Sequence, residues 1–180
     1  MKIQAAVIVY RCKNAEGKVT AMIRVNVKGI AYDMSGNPII LLTDQQEERV
    51  LPIWVGLLEA HAIAVALEKV AMPRPLTHDL LKTACEQLGA NISRVIISDL
   101  QDSTFYAEVH LHLPEQEMVL DARPSDAVAL ALRASAPVFL TDKLTEQMME
   151  IKDIFDDETR AELEQALDPE MLKEYKKSLH

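Results

Sequence analysis

Charged and polar residues crowd one predicted helix start, in the stretch LDARPSDAVALALRAS at residues 120–135. Pro124 suits the first position of a helix, where its missing N–H costs nothing. Ser125 and Asp126 suit the first turn, where acids meet the positive end of the helix dipole. These three residues are therefore explained by a helix start alone, without any catalytic role.

Arg123 does not fit that explanation, because it brings five N–H donors to a place where the backbone needs acceptors. An arginine here makes sense if it pairs with Asp121 or Glu59, or if its planar fork holds a phosphate. We predict that Asp121 and Arg123 form a functional pair, with Ser125 as a further substrate-binding group. The alternative is that the whole motif only starts a helix.

A second helix start, in the stretch GLLEAH, carries Glu59 in its first turn and His61 after it. The segments AIAVAL and AVALAL follow the two helix starts 65 residues apart, and we expect the two helices to pack together. Glu59, Asp121 and Asp126 would then lie close enough to hold Mg²⁺ or Mn²⁺, which bridges to phosphates. His61 could serve as a base beside this site. The alternatives are a first-turn acid for Glu59 and a packing role for His61.

The stretch RPLTHDLL concentrates reactive groups in a similar way. Thr77 is the predicted N-cap of a helix, which places His78 and Asp79 on the first turn. A histidine beside a carboxylate can perform general acid–base chemistry, and Arg74 could bind substrate. A solvated helix start without function is the alternative.

The stretch HLH places His110 and His112 on one face of a predicted strand, together with Glu108. This spacing can chelate zinc or manganese. It is also the polar face that any half-buried strand presents, and both interpretations stay open.

The surrounding elements follow from hydrophobic periodicity. Ile23, Val25 and Val27 alternate with polar residues, as in a half-buried strand. Gly89 is a natural stop for the helix that carries His78. That helix has an apolar stripe of Leu80, Leu81, Ala84 and Leu88. The predicted order is a meander of three strands, two helices, three strands, a helix and a last strand.

This order predicts an α+β fold, with a mixed β-sheet and packed helices in a single compact domain. The predicted organisation is an N-terminal extension with a strand over 1–21, the domain over 22–143, and an acidic helical tail over 144–180. Residues 142–180 hold 12 acids and 6 bases, so they carry −6 of the net charge of −9. The remainder is nearly neutral, which argues against an unspecific electrostatic binder of nucleic acid.

Neither a membrane-spanning segment nor a signal peptide is evident, so we expect a cytoplasmic protein. Cys12 and Cys85 lack the spacing of a metal site. The Ala-rich helices can pack closely and twofold assemblies are common, so a homodimer is expected.

Several motifs together resemble the bifunctional nuclease domain family, over roughly residues 22–143. They are VKGIAYDMSGNPIILL, LPIWVGLLEAHAIAVAL, RPLTHDLL, DSTFYAEV and DARPSDAVALALR, in this order. The resemblance implies a small α+β domain and a nuclease that acts on both RNA and DNA.

Two functional hypotheses follow. The first is a metal-assisted phosphodiesterase with RNA or DNA as substrate. Its predicted catalytic residues are Glu59, His78, Asp79, Asp121 and Asp126. Its predicted substrate-binding residues are Arg74, Arg123 and Ser125, and its predicted metal ligands are Glu59, Asp121 and Asp126. The second hypothesis is a non-catalytic module that binds a ligand or a partner.

Overall fold

The computed structural model of the protein describes residues 9–13 and 19–154. The first unit contains the strands β1 Val9–Lys13, β2 Val19–Tyr32, β3 Pro38–Thr43, β4 Arg49–Trp54, β5 Asn91–Gln101, β6 Thr104–His112, β7 Glu117–Ala122 and β8 Val138–Thr141. Its helices are α1 Leu57–Leu67, α2 Thr77–Gln87, α3 Pro124–Ala134 and α4 Asp142–Thr145. The predicted α+β class is confirmed.

The described residues after Met148 belong to a second unit, which contains the short strand β9 Met149–Glu150 and the short helix α5 Ile151–Ile154. The helical tail was predicted over 144–180, and its part from 155 onward lies outside the described residues. The same holds for 1–8 and 14–18 of the predicted N-terminal extension. The predicted domain boundaries therefore stay predictions.

The strands of the first unit form one mixed sheet, in the order β7-β6-β5-β8-β2-β3-β4, with β1 paired to β2. The predicted meander of β2, β3 and β4 is confirmed by their antiparallel pairing. Strands β5 and β8 are parallel, whereas the other pairs recorded in this unit are antiparallel. Helices α1 and α3 contact each other, as the similarity of their sequences predicted.

The main core lies between the helices and one face of the sheet. Ile63 of α1, Val128 of α3, and Ile40 and Leu140 of the sheet are each fully buried within it. The small alanines of α1 and α3 let the helix backbones approach closely, which fixes the two helix starts relative to each other. No helix in the described part of the chain is long and apolar enough to cross a membrane.

Helix α2 differs from α1 and α3, because none of its residues is buried. Its apolar stripe faces outward, and Leu80 and Leu88 are 64% and 81% exposed. The N-cap prediction was wrong by one residue. Thr77 is the first helical residue, and Leu76 occupies the cap position with its N–H donated to Asp79. Gly89 does terminate the helix, with a positive φ of 78° that favours glycine.

Candidate active site at three helix starts

The starts of α1 and α3 meet through Arg123, the residue immediately before α3. Its Nη1 donates to Glu59 Oε1 at 3.0 Å, and its Nε donates to Asp126 Oδ2 at 2.7 Å. The hydrogen bond and charge of Asp126, and then the bond to Glu59, raise the pKa of the Arg123 guanidinium. Its side chain is nevertheless 66% exposed, and its Nη2 bonds no other described residue. Arg123 can therefore still donate to an anion from solvent.

Asp126 also joins α3 to α2, because its second oxygen bonds His78. His78 Nε2 lies 3.1 Å from Asp126 Oδ1. Burial acts to raise the pKa of Asp126, but the bonds from Arg123 and His78 outweigh it and hold the pKa below the ordinary 3.8. An ionised carboxylate only accepts hydrogen bonds, so Nε2 is the protonated nitrogen of His78. In the neutral ring, Nδ1 is then the proton acceptor.

We refer to Glu59, His78, Arg123 and Asp126 as the helix-start cluster. Within it, one carboxylate binds a histidine through one oxygen and an arginine through the other. This arrangement places an imidazole, which can accept a proton, beside a guanidinium, which can bind an anion. The sequence predicted each of the four residues as a candidate, and the fold brings them together.

Asp79, in the first turn of α2, forms a further contact with α3. Its Oδ1 accepts from Arg133 Nε at 2.6 Å, and its Oδ2 accepts from the backbone N–H of Leu76. Burial acts to raise the pKa of Asp79, but these two bonds outweigh it, and the pKa is lowered. Arg133 was not among the residues predicted from sequence. It could have been found from its spacing, because it lies seven residues after Asp126 and therefore on the same face of α3.

Gly56 makes room for Glu59. The backbone of Gly56 is extended and its φ of −75° is open to any residue. A Cβ at this position would overlap the Glu59 carboxylate, which folds back over the start of α1. The absence of a Cβ at Gly56 therefore leaves space for the carboxylate that binds Arg123.

Three other predicted residues lie outside the cluster. Ser125 is only 6% exposed within the first turn of α3. Arg74 lies on the loop before α2 and lines a cleft next to Asp79. Asp121 is exposed and its side chain forms no ion pair or hydrogen bond with the described residues, so the predicted Asp121–Arg123 pair is not formed.

The pleat of the sheet explains the position of Asp121. It lies opposite Glu108 in the β6–β7 register. The alternate β6 residues Ala107 and Val109 point into the core under the helices. Glu108 and Asp121 therefore face the other side of the sheet, away from Glu59 and Asp126.

A second polar cluster occupies that opposite face, and we call it the sheet-face cluster: Arg94, Glu108, His110 and Glu117. His110 Nε2 lies 3.0 Å from Glu108, and Arg94 Nη2 lies 2.9 Å from His110 Nδ1. Arg94 also bonds Glu117 at 2.7 Å. His110 is 3% exposed, whereas His112 is exposed to solvent. The two histidines of the predicted chelating pair therefore lie in different environments.

The described residues contain no group of three or more His, Cys, Asp or Glu side chains that could hold a metal ion. Glu59 and Asp126 both bond Arg123, and Asp121 lies on the other face of the sheet. These three predicted ligands do not fit a preformed site for Mg²⁺ or Mn²⁺.

The fold and the site define a class of protein: an α+β domain with a charged cluster built on helix starts above a mixed sheet. The chain belongs to the bifunctional nuclease domain family, whose sequence model matches residues 40–153. An uncharacterised protein of Mycobacterium tuberculosis is 41% identical over 124 residues, which are 68% of this chain and 74% of that relative.

Named plant relatives are more distant. Bifunctional nuclease 1 of Oryza sativa subsp. indica is 27% identical over 103 residues, which are 56% of this chain and 31% of the relative. Bifunctional nuclease 2 of Oryza sativa subsp. japonica is 25% identical over 134 residues, which are 72% of this chain and 41% of the relative. The chain thus spans less than half the length of these plant proteins.

Proposed function

We propose that the protein is a nuclease that hydrolyses phosphodiester bonds in RNA and DNA at the helix-start cluster. The observation that carries the proposal is the shared carboxylate of Asp126, which bonds His78 and Arg123 at once. Family membership and the names of the plant relatives support the reaction class. The cluster supplies an imidazole and a guanidinium, which such a reaction can use as a base and as a phosphate-binding group.

His78 is the proposed base. Asp126 fixes the ring through Nε2, so Nδ1 can take a proton from the attacking water. The water oxygen then bonds to phosphorus, the ester P–O bond breaks, and the leaving oxygen takes up a proton from solvent. Asp126 also stabilises the imidazolium that forms, as a carboxylate beside histidine does in other hydrolases.

Arg123 is the proposed phosphate-binding group. Its two carboxylate bonds use Nε and Nη1, so Nη2 has no partner among the described residues on a side chain that is 66% exposed. A planar fork held in this way can donate to non-bridging phosphate oxygens, where negative charge develops in the transition state. Glu59 is then a positioning residue, because it acts through Arg123.

We also propose that Mg²⁺ or Mn²⁺ assists cleavage, although Glu59, Asp121 and Asp126 form no preformed site for either ion. The purified protein is incubated with single-stranded RNA and single-stranded DNA, first with EDTA and then with each ion restored. We expect cleavage of both polymers by the native protein and strong loss of cleavage in Asp126→Asn. Asp99→Asn is the matched control, since Asp99 is also ion-paired, to Lys143, but lies outside the cluster.

One observation favours the second candidate, a non-catalytic binding module. Arg123 already has two carboxylate partners, so its charge is balanced within the protein. In that case Asp126→Asn would lower the melting temperature, and the native protein would cleave neither polymer under any metal condition.

We also propose that the protein is a homodimer. The exposed leucines of α2 support this assembly, because Leu80, Leu81 and Leu88 are 64%, 44% and 81% exposed on a helix without buried residues. Light scattering should return twice the chain mass of 20.1 kDa. A mass equal to one chain at micromolar concentration would contradict the proposal.

A further inference from the structure

A cleft of about 550 Å³ lies beside the helix-start cluster. The C-terminal part of α1, the loop from 68 to 76, the first turns of α2 and the end of α3 form its walls. Its volume falls within the range of about 300–1,000 Å³ that is usual for small-molecule sites. Asp79 lines the cleft and directly follows His78, so the cleft and the cluster are neighbours.

The charges in this cleft are not balanced. Asp79 and Arg133 bond each other, and Arg133 is almost fully buried. Lys69 and Arg74, in contrast, are exposed, and their side chains form no ion pair or hydrogen bond with the described residues. Two unpaired cations in a protein of net charge −9 make the cleft complementary to an anion.

The helix dipole accounts for only part of this arrangement. Lys69 follows the C-terminus of α1, where a cation is favoured in any protein. Arg74 has no such reason, because it lies on the loop before the start of α2, where the dipole favours acids. The helix dipole therefore leaves the position of Arg74 unexplained, whereas an anionic ligand in the cleft would account for it.

The remaining wall of the cleft is apolar. Val70 and Met72 are 47% and 41% exposed, and Val65, Pro75 and Leu132 line the same space. A ligand that covers this wall and also reaches the two cations combines an apolar part with a negative group. A nucleotide has this composition, since its base has an apolar face and its phosphate is charged.

We infer that this cleft binds one nucleotide unit, with the phosphate at Lys69 and Arg74 and the base against the apolar wall. The identity of the ligand rests on the proposed function. In a polymer substrate, the unit in the cleft would neighbour the phosphodiester at Arg123 and His78, and the cleft would hold the strand in register.

Adenosine 5′-monophosphate is the probe, titrated calorimetrically into the full-length protein. We expect binding in the micromolar to millimolar range, no detectable binding of adenosine, and weaker binding of inorganic phosphate. Lys69→Gln and Arg74→Gln should each weaken binding, and the double variant should weaken it at least about tenfold. Arg24→Gln with Lys28→Gln is the matched control, which removes the same charges from β2, outside the cleft.

A short oligonucleotide distinguishes the two sources of the ligand. Tighter binding of a dinucleotide than of the monophosphate indicates a subsite for the polymer, and equal binding indicates a site for free nucleotides; both support the cleft. If the double variant binds the monophosphate like the native protein, or if the native protein does not bind it, the inference is wrong. Melting temperatures of all variants confirm that they are folded.

The binding and cleavage assays distinguish failure of the cleft proposal from failure of the nuclease proposal. Binding that depends on Lys69 and Arg74, together with absence of cleavage by the native protein, would support the cleft and reject the nuclease. Cleavage by the native protein, with unchanged binding and unchanged cleavage in the double variant, would support the nuclease and reject the cleft.

Discussion

The helix-start cluster and the sheet-face cluster contain the same residue types: one arginine, one histidine and two carboxylates. They differ in how the histidine ring is held. In the first, His78 is bonded on one side, by the Asp126 carboxylate, which also binds Arg123. In the second, the His110 ring lies between Glu108 on one side and the paired Arg94 and Glu117 on the other.

This difference decides what each histidine can do. His110 Nε2 lies 3.0 Å from Glu108 Oε2, and His110 Nδ1 lies 2.9 Å from Arg94 Nη2 and 3.3 Å from Glu117 Oε1. Both ring nitrogens are used, and a proton can be exchanged only by breaking a bond. His78 uses Nε2 alone among the described residues. The same composition therefore gives one cluster suited to proton transfer and one suited to stability.

The arginines of the two clusters also differ in their exposure to solvent. The Arg123 side chain is 66% exposed and the Arg94 side chain is 21% exposed. Arg94 Nε is in addition buried without a hydrogen-bond partner in the described part of the chain. The sheet-face cluster thus already contains one unsatisfied donor, whereas Arg123 keeps its free donors in contact with water.

The largest expected effect is a difference in cleavage rate between substitutions of the two histidines, His78 and His110. His78→Asn should lower the rate of nucleic acid cleavage by about 10²–10⁴-fold, because a general base contributes that much. His110→Asn should leave the rate per folded molecule unchanged and cost about 1–3 kcal/mol of unfolding free energy, because two buried bonds are lost. Cleavage rates and urea unfolding measure the two effects. His112→Asn, at an exposed position, is the control, and equal rates for all three variants would remove the distinction.

Substitution of the two arginines should show the same contrast between cleavage rate and stability, with a smaller effect on rate than substitution of His78. Arg123→Lys should keep the melting temperature and lower the cleavage rate about 10²-fold, because lysine cannot reproduce the planar fork that binds phosphate. Arg94→Lys should lower the melting temperature at an unchanged rate. A native rate in Arg123→Lys would mean that this residue only joins the two helix starts.

The pH dependence of stability should reveal the helix-start cluster. The folded-state pKa of Asp126 is lowered, so its contribution to stability is present above the ordinary value of 3.8 and is lost as the pH falls through the folded pKa. The difference in unfolding free energy between the native protein and Asp126→Asn should therefore shrink from pH 6 to pH 3. Urea unfolding at both pH values measures it. A difference that grows toward low pH would contradict the assigned bonds.

The smallest effect is expected at Gly56. Gly56→Ala should displace the Glu59 carboxylate from Arg123, because the new Cβ occupies its place. The other bond of Arg123, to Asp126, is kept, so we expect the cleavage rate to fall less than about tenfold, an upper limit equivalent to about 1.4 kcal/mol. Gly29→Ala, where a Cβ meets nothing within 4 Å, is the matched control. Equal rates for the two variants would show that Glu59 does not position Arg123.

Much of this architecture could be predicted from local sequence. The strand meander followed from alternating residues such as Ile23 and Val25, and the start of α3 followed from Pro124. The packing of α1 on α3 followed from their similar Ala-rich sequences. The outward stripe of α2 was not predictable, because periodicity shows that a helix has an apolar face but does not show what covers it.

The sequence by itself determined the elements, the three helix starts and the residue types placed on them. It did not determine which charges meet. Only the tertiary structure decided that Arg123 bonds Glu59 and Asp126 instead of Asp121, two residues before it. The physical reason is the pleat of β7, which sends Asp121 to the far face of the sheet, while close packing of α1 and α3 brings Glu59 across 64 residues of chain to Arg123.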